Sequence, residues 1–168
     1  MSNVILKTNL EKCNKVRCIG SEEDEELHYT KHEDAPYLIC FDPLDGSTNI
    51  DVNITTGTIF AIYKYDNNNE IKNGRNIIMS GYSLYGASTQ YLIAYNNKLS
   101  MYQYVSSENM FVCNKTDMKI KEKGNIYSIN ESAKHTWCDK RFNSFIETCI
   151  NNGYNMRWVG SLVADAHR

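Results

Sequence analysis

FDPLDGSTNID, from Phe41 to Asp51, places two aspartates three positions apart, with a proline directly after the first of them. It overlaps the end of YLICF, Tyr37–Phe41, an apolar run with the length of a strand buried on both faces. Sheet proteins place reactive groups at strand ends. Because Pro43 fixes its own φ, the sequence predicts a turn that directs Asp42 and Asp45 at the same point.

Two carboxylates held this close repel each other unless a cation lies between them. Hard divalent cations such as Mg²⁺ take oxygen ligands, and the carbonyl of Leu44 offers a third oxygen between the two acids. Gly46 lets the backbone approach another group closely, and the N–H groups of Gly46, Ser47 and Thr48 are expected to face outward as an anion site. These residues alone leave two interpretations open, an ordinary Asp-Pro turn and part of a cation and phosphate site.

A second acidic feature, the five consecutive acids Glu22–Glu26, follows a short predicted strand at Val16–Ile19 and the pair Gly20-Ser21. Such a run by itself is a solvated, charged loop. Because this loop also comes at a strand end, its acids are expected to join Asp42 and Asp45 around a divalent cation.

The rest of the chain alternates short apolar runs with polar turns. A helix is predicted from Ser2 to about Lys12, with Ser2 as its cap, and a second over Phe142–Ile150, preceded by Thr136 and Asp139. Strands outnumber helices and hairpins mix with crossovers, so the sequence predicts an α/β fold with a layered, mixed (α+β) sheet. The remaining predictions are strands at Thr58–Tyr63, Ile77–Leu84, Gln90–Tyr95 and Arg157–Val163, a hairpin of Met101–Val105 with Met110–Cys113, and a polar loop at Asp66–Glu70.

Composition excludes several classes of protein. Hydrophobic residues make up 42% and charged residues 23% of the 168 residues, as in a globular domain. The net charge of −2 gives no bulk attraction for nucleic acid or an anionic membrane, and no apolar run has transmembrane or signal-peptide character. None of the six cysteines forms a Cys-x-x-Cys pair, which favours buried, reduced thiols in a cytoplasmic protein over a redox switch.

The longer stretch Asp42–Asp51 resembles the signature of the fructose-1,6-bisphosphatase family. Gly20–Asp24 is similar to the family's acidic loop, and Asn49–Asp51 favours this family over plant sedoheptulose-bisphosphatases and inositol monophosphatases. The resemblance implies a layered sandwich and the Mg²⁺-dependent hydrolysis of the 1-phosphate of fructose 1,6-bisphosphate, which gives fructose 6-phosphate and phosphate. Further similar segments, in the same order, lie within Gly57–Phe60, Gly74–Asn76, Gly81–Gly86, Ile126–Glu131 and Val159–Asp165.

The resemblance also implies a role for each residue of the acidic loop and the Asp-Pro stretch. Glu22, Asp42, Asp45 and the Leu44 carbonyl would bind the catalytic Mg²⁺, with Mn²⁺ or Zn²⁺ as alternatives. Glu23 would orient or deprotonate the attacking water. Backbone amides at Gly46 and Ser47, followed by Thr48, would hold the transferred phosphate.

Other residues match substrate and regulatory positions of the family. Asn130 matches a residue that binds the 6-phosphate, and Arg157 one that reaches into a neighbouring subunit's site, which implies a homo-oligomer, a tetramer in the family. Trp158 stands where the family usually has tyrosine, and Ala133 replaces another tyrosine. Tyr37 and Lys64 match positions that line the family's AMP site, although arginine is usual at the second of them.

Residues 1–168 would therefore form the central part of a fructose-bisphosphatase-like catalytic domain. The family's N-terminal helices, one catalytic aspartate, the last metal-binding glutamate and the substrate lysine have no counterpart in the chain. Three interpretations follow: part of a longer enzyme, an inactive remnant that keeps metal or subunit contacts, and a related sugar or inositol phosphatase. The chain by itself is expected to be inactive and poorly stable. Asp66–Asn73 has no cysteine, so thioredoxin control through this loop is not expected.

Overall fold

An eight-stranded mixed sheet dominates the computed structural model of the chain, which describes residues 1–65 and 74–168. Its strand order is β2-β1-β3-β4-β5-β6-β7-β8. The β1 and β3 strands pair in parallel, whereas the other neighbouring strands of the described sheet pair antiparallel, which confirms the predicted mixed sheet. The strands are β1 Val16–Ser21, β2 His28–Tyr29, β3 Tyr37–Asp45, β4 Thr56–Lys64, β5 Ile77–Tyr85, β6 Thr89–Tyr95, β7 Lys98–Val105 and β8 Met110–Lys115.

Three helices and a small second sheet complete the described residues. The helices are α1 Ser2–Glu11, α2 Lys140–Asn151 and α3 Leu162–His167, and the second sheet pairs β9 Ile126–Tyr127 in parallel with β10 Asn155–Met156. Short 3-10 segments lie at Ser47–Asn49, Gly74–Asn76 and Glu131–Thr136. No helix in the described residues has the length and apolarity to cross a membrane.

The hydrophobic core forms where α1 packs against β1 and β3. Val16, Ile19, Ile39 and Phe41 are buried there, and Leu6 and Leu10 of α1 lie against them with Phe60 and Ile62 of β4. Burial of one such side chain stabilises the fold by about 1.5–3 kcal/mol. This core therefore fixes β1, which leads to the acidic loop, and the part of β3 that leads to Asp42.

Several helix boundaries differ from the prediction. Ser2 is the first residue of α1 rather than its cap, since Met1 holds the cap position. Asp139 caps α2 alone, by accepting a 2.8 Å hydrogen bond from the Arg141 N–H, whereas Thr136 belongs to a preceding 3-10 segment. Within the predicted apolar stripe of α2, Ile146 and Cys149 are buried and Phe142, Phe145 and Ile150 are exposed.

The predicted strand at Arg157–Val163 is wrong. The chain leaves β10 after Met156, and α3 begins at Leu162. Gly160 adopts φ +80°, a left-handed conformation that interrupts an extended strand. The N–H groups of Leu162 and Val163 donate to the Asp45 carboxylate, which stabilises a helix start rather than a strand.

The cysteines also differ in part from expectation. All six lie within the described residues and are free. Cys18 and Cys149 are buried and Cys40 is half-buried, but Cys13, Cys113 and Cys138 are exposed, so the prediction of buried thiols is wrong for these three. The predictions for Asp66–Glu70 and for the loop Asp66–Asn73 lie outside the described residues.

Candidate metal and phosphate site

The parallel pairing of β1 with β3 brings the acidic loop beside the Asp-Pro stretch. Ser21 pairs with Phe41, and the Glu22 N–H donates to the Phe41 carbonyl over 3.0 Å. Glu22 directly follows the end of β1 and therefore lies beside Asp42 of β3, because the two strands are parallel and stay in register up to the pair of Ser21 and Phe41. Both residues line a cavity of about 670 Å³ whose other walls are mostly apolar.

A β-bulge, rather than a turn, holds the two aspartates. Asp42 pairs with Ile59 and Asp45 with Gly57, so β3 contains one more residue than β4 across this interval. Pro43 lies in the bulge, where no ladder hydrogen bond requires its missing N–H. The predicted turn after Phe41 is therefore wrong in form, because β3 continues to Asp45.

Hydrogen bonds of the bulge fix its geometry. The Pro43 carbonyl accepts a 2.9 Å hydrogen bond from the Thr58 hydroxyl. The Leu44 N–H donates to Asp42 Oδ1 over 2.8 Å. Within the described part of the chain, Asp42 Oδ2 makes no hydrogen bond, so Asp42 can still offer an oxygen to a ligand.

Asp45 binds the N-terminus of α3. Its Oδ2 accepts from the Ser161 hydroxyl at 2.5 Å and from the Val163 N–H at 2.9 Å, and its Oδ1 accepts from the Leu162 N–H at 3.1 Å. The first N–H groups of a helix have no partner within it, and the positive end of the helix favours an anion. Asp45 is thus a structural link between β3 and α3 whether or not it also binds a metal.

Gly46 makes the close approach of these two segments possible. It adopts φ +73°, and a Cβ at this position would lie 2.6 Å from the Ser161 Cβ. The sequence predicts that another group approaches the backbone of Gly46 closely, and in the structure Ser161 lies at this position. After Gly46, the chain enters the 3-10 segment that exposes Ser47 and Thr48 to solvent.

Asn49 ties this segment to the region before α3. Its side chain is buried and donates to the Val159 carbonyl over 3.1 Å and to the Thr55 carbonyl over 3.3 Å. Asp165 accepts in turn from the N–H groups of Val159 and Gly160. Sequence reasoning assigned no role to Asn49 or Asp165 beyond the family resemblance, and both stabilise the segment that offers the predicted phosphate amides.

The acidic loop is attached to α1 through Asp24, which sequence reasoning did not select. Lys7 Nζ lies 2.6 Å from Asp24 Oδ2, and the Asn3 amide donates to Asp24 Oδ1 over 3.1 Å. The hydrogen bond from Lys7 lowers the pKa of Asp24, and that from Asn3 adds to the effect. Glu22 and Glu23 remain exposed.

A bound Mg²⁺ would need oxygen ligands from the residues around Asp42. Among the described residues, no group of three or more Asp, Glu, His or Cys side chains lies close enough to hold a metal ion. The backbones of Glu22 and Asp42 lie beside each other, whereas the carboxylate oxygens of Asp45 accept hydrogen bonds from the start of α3. Mg²⁺ is commonly bound by one or two carboxylates together with water and substrate phosphate, so the Glu22 and Asp42 pair fits this cation.

The residues predicted to bind the 6-phosphate follow the two strands of the small sheet. β10 pairs with β9, and the Arg157 N–H donates to the Tyr127 carbonyl at 2.9 Å, which places Arg157 near the segment leading to Asn130. The side-chain oxygen of Asn130 accepts from the N–H and the hydroxyl of Ser132, so it caps its own 3-10 segment. Trp158 is half exposed, directly before Val159.

The two predicted AMP-site residues are neighbours. Tyr37 and Lys64 pair directly across β3 and β4. The Arg17 guanidinium lies 4.4 Å from the ring centroid of the adjacent Tyr65, so this end of the sheet presents basic and aromatic side chains together.

Two family models match the chain in succession. The model described as "Fructose-1-6-bisphosphatase, N-terminal domain" matches residues 1–116, which include the acidic loop and the Asp-Pro stretch. The chain belongs to the fructose-1,6-bisphosphatase family. The model described as "Fructose-1-6-bisphosphatase, C-terminal domain" matches residues 120–168, so the boundary between the two models follows β8.

Curated relatives from distant organisms are similar to this family member. Fructose-1,6-bisphosphatase class 1 of Persephonella marina is 38% identical, over 100% of this chain and 54% of the relative. Fructose-1,6-bisphosphatase 1 of Rattus norvegicus is 39% identical, over 97% of this chain and 48% of the relative. The chain thus spans about half the length of the curated relatives that it matches.

Solved structures confirm the fold. The holo form of Leishmania major fructose-1,6-bisphosphatase superposes with a TM-score of 0.91 and 30% identity, covering 99% of this chain and 56% of that one. The T-state structure of the same enzyme gives a TM-score of 0.90 and 29% identity, with 99% and 57% covered. The family and the fold that the Asp-Pro stretch predicts are therefore both confirmed.

Proposed function

We propose that the protein containing this chain hydrolyses the 1-phosphate of fructose 1,6-bisphosphate, with a divalent cation, Mg²⁺ in the first instance, held by Glu22 and Asp42. The observation that supports this most is the parallel pairing of β1 with β3, which sets these two acids side by side. Relatives named fructose-1,6-bisphosphatase support the substrate. A cytoplasmic location is part of the proposal, since a relative from Oryza coarctata is named cytosolic.

Each residue of the site has a proposed task. Glu22, Asp42 and the Leu44 carbonyl hold the cation, and Asp45 either completes this set or fixes it through α3. When bound, the cation polarises the phosphoryl oxygens and lowers the pKa of a bound water. Glu23 accepts the proton of the attacking water.

The backbone after Asp45 provides the phosphate site. The N–H groups of Gly46, Ser47 and Thr48 donate to the phosphoryl oxygens at the start of the 3-10 segment, where N–H groups lack internal partners. Asp45 and Asn49 hold both ends of this segment against the region before α3. The transferred phosphate and the cation are therefore held by adjacent parts of one stretch.

The 6-phosphate end of the substrate is assigned to the segments that follow the strands of the small sheet. Asn130, Arg157 and Trp158 would contact the 6-phosphate, and Arg157 would do so in a neighbouring subunit, so the protein would act as a homo-oligomer. Arg157 is exposed and its guanidinium bonds only the adjacent Met156 carbonyl within the described residues, which leaves donors for such a contact. Tyr37 and Lys64 would form part of an AMP-binding surface.

Phosphate release tests the proposed function. The protein that the gene encodes in full is assayed with Mg²⁺ on fructose 1,6-bisphosphate and on inositol monophosphate, as wild type, as Asp42→Asn and as Glu108→Gln. Glu108 is an exposed acid in the β7–β8 turn and serves as a matched control. We expect turnover of the sugar bisphosphate to fall at least about 100-fold in Asp42→Asn only. Equal or faster turnover of inositol monophosphate, or full activity of Asp42→Asn, would contradict the proposal.

A further inference from the structure

A network of side chains joins α1 to the acidic loop. The Ser21 hydroxyl donates to Asn3 Oδ1 over 2.9 Å, and the Asn3 amide donates to Asp24. Lys7, one turn further along α1, forms the ion pair with the other oxygen of Asp24. Both ends of the Ser21–Asp24 segment are therefore attached to the same face of one helix.

The loop backbone is closed on itself by the same residues. The Glu23 N–H lies 3.3 Å from the Ser21 hydroxyl oxygen, and the Asp24 N–H donates to the Ser21 carbonyl over 3.2 Å. The Glu22 N–H is already bound to β3. The backbone of Glu22 and Glu23 is thus fixed between a strand on one side and α1 on the other, while their side chains stay exposed.

The ion pair between Lys7 and Asp24 is partly shielded from solvent. The side chains of Lys7 and Asp24 are only 26% and 27% exposed, and α1 itself is fixed by Leu6 and Leu10 in the core. An ion pair that also has an amide donor on the same carboxylate is less easily broken than an isolated surface pair. Asp24 therefore attaches the loop to α1, and the carboxylates of Glu22 and Glu23 are left for ligands.

We propose that Asn3 and Lys7 are positioning residues, which hold Asp24 so that Glu22 is presented to the cation beside Asp42. This inference rests on the proposed function, because it concerns the same site. Partners that orient metal ligands typically contribute 10- to 100-fold to metal affinity. Loss of the Lys7 contact should accordingly weaken cation binding about 10-fold.

The first readout is direct binding of Mn²⁺, measured by titration calorimetry and by the electron paramagnetic resonance signal of the free ion. Lys7→Met removes the ion pair and keeps most of the length of the side chain, and we expect its Mn²⁺ affinity to fall about 10-fold. Lys12→Met is the matched control, since Lys12 is an exposed lysine at the end of α1 and its removal changes the net charge equally. Lys7→Arg should restore affinity to within about twofold of wild type.

A double variant separates positioning from a general loss of structure. Asp24→Asn should also weaken Mn²⁺ binding, and Lys7→Met should add nothing in the Asp24→Asn background, because both act through one contact. If Lys7→Met fails to fold by circular dichroism, Asp24→Asn and Lys7→Arg carry the same test. In turnover, the metal concentration for half-maximal activity should rise while kcat at saturating Mg²⁺ stays within about twofold of wild type.

The reference variant Glu22→Gln distinguishes this inference from the function on which it rests. Weaker Mn²⁺ binding in Glu22→Gln and in Lys7→Met, but not in Lys12→Met, would support both. Weaker binding in Glu22→Gln with Lys7→Met equal to Lys12→Met would overturn the positioning role alone. Wild-type binding in Glu22→Gln would overturn the proposed metal site itself.

Discussion

Replacing Gly46 by alanine tests how closely the Asp-Pro stretch approaches α3. The residue adopts φ +73°, where an L-residue costs about 1–2 kcal/mol. The new Cβ would also lie 2.6 Å from Ser161 Cβ and 3.2 Å from Ser161 Cα, a distance that forces the backbone segments apart. Overpacking of this kind costs about 1–3 kcal/mol, so the free energy of unfolding should fall by about 2–5 kcal/mol in total.

Gly153 is the matched control for the backbone effect. It adopts φ +72°, but a Cβ there would meet no atom within 4 Å. Gly153→Ala should therefore lower the free energy of unfolding only by the conformational cost of about 1–2 kcal/mol. The smaller entropy of the unfolded chain applies equally to both variants and cancels in the comparison.

Urea unfolding of the complete protein, followed by circular dichroism, measures this difference. We expect the free energy of unfolding of Gly46→Ala to be about 1–3 kcal/mol lower than that of Gly153→Ala, with the same slope against urea concentration in both variants. In a Ser161→Gly background, which removes the opposing Cβ, the extra cost should largely disappear. Equal destabilisation by the two alanine variants would show that Gly46 and Ser161 are not in close contact, and the packing of α3 on the bulge would have to be abandoned.

Three further predictions concern individual charges. In Asp45→Asn, an amide N–H₂ must face a donor at the start of α3, so the free energy of unfolding should fall by about 1–3 kcal/mol, and unchanged urea stability would contradict the Asp45 contacts. The pKa of Asp24 is depressed in the folded protein, so this carboxylate contributes to the free energy of unfolding above pH 3.8, its ordinary pKa, and the contribution is lost as the pH falls through the folded pKa. The difference in the free energy of unfolding between wild type and Asp24→Asn should therefore disappear at acid pH. A difference that is independent of pH would refute the ion pair. The 2.5 Å hydrogen bond from Tyr127 to Glu131 raises the pKa of Tyr127 to about 12, so spectrophotometric titration of Glu131→Gln should show this tyrosine ionising nearer its ordinary value of 10.0, and an unchanged titration would exclude the contact.

The sheet could be predicted because its determinants are local. Runs such as Thr58–Tyr63 and Gln90–Tyr95 are apolar, β-branched or aromatic, and the structure extends them by at most two residues at either end. The adjacency of the acidic loop and Asp42 could also be predicted, since each follows a buried apolar run, although Asp42 lies within β3 rather than after its end. Family resemblance added the substrate and the roles of individual residues, which periodicity does not contain.

The parts that sequence reasoning missed depend on contacts between distant residues. Asp45 and Ser161 are 116 positions apart, and their contact holds the start of α3, a helix of only six residues. Pro43 predicted a turn, but the pairing of Asp45 with Gly57 keeps the chain in the sheet as a bulge. Asp24 looked like one acid among five until the structure placed it against Lys7.

The central claim is that Glu22 and Asp42 hold a divalent cation where the end of β1 lies beside β3. It is tested most directly by anomalous diffraction from crystals of the complete protein soaked with Mn²⁺ and phosphate. We expect an anomalous peak within coordination distance, about 2.0–2.3 Å, of a carboxylate oxygen of each residue, with phosphate against the amides of Gly46 and Ser47. A peak bound elsewhere, or a site at which either carboxylate can be removed without loss of the peak, would contradict the account.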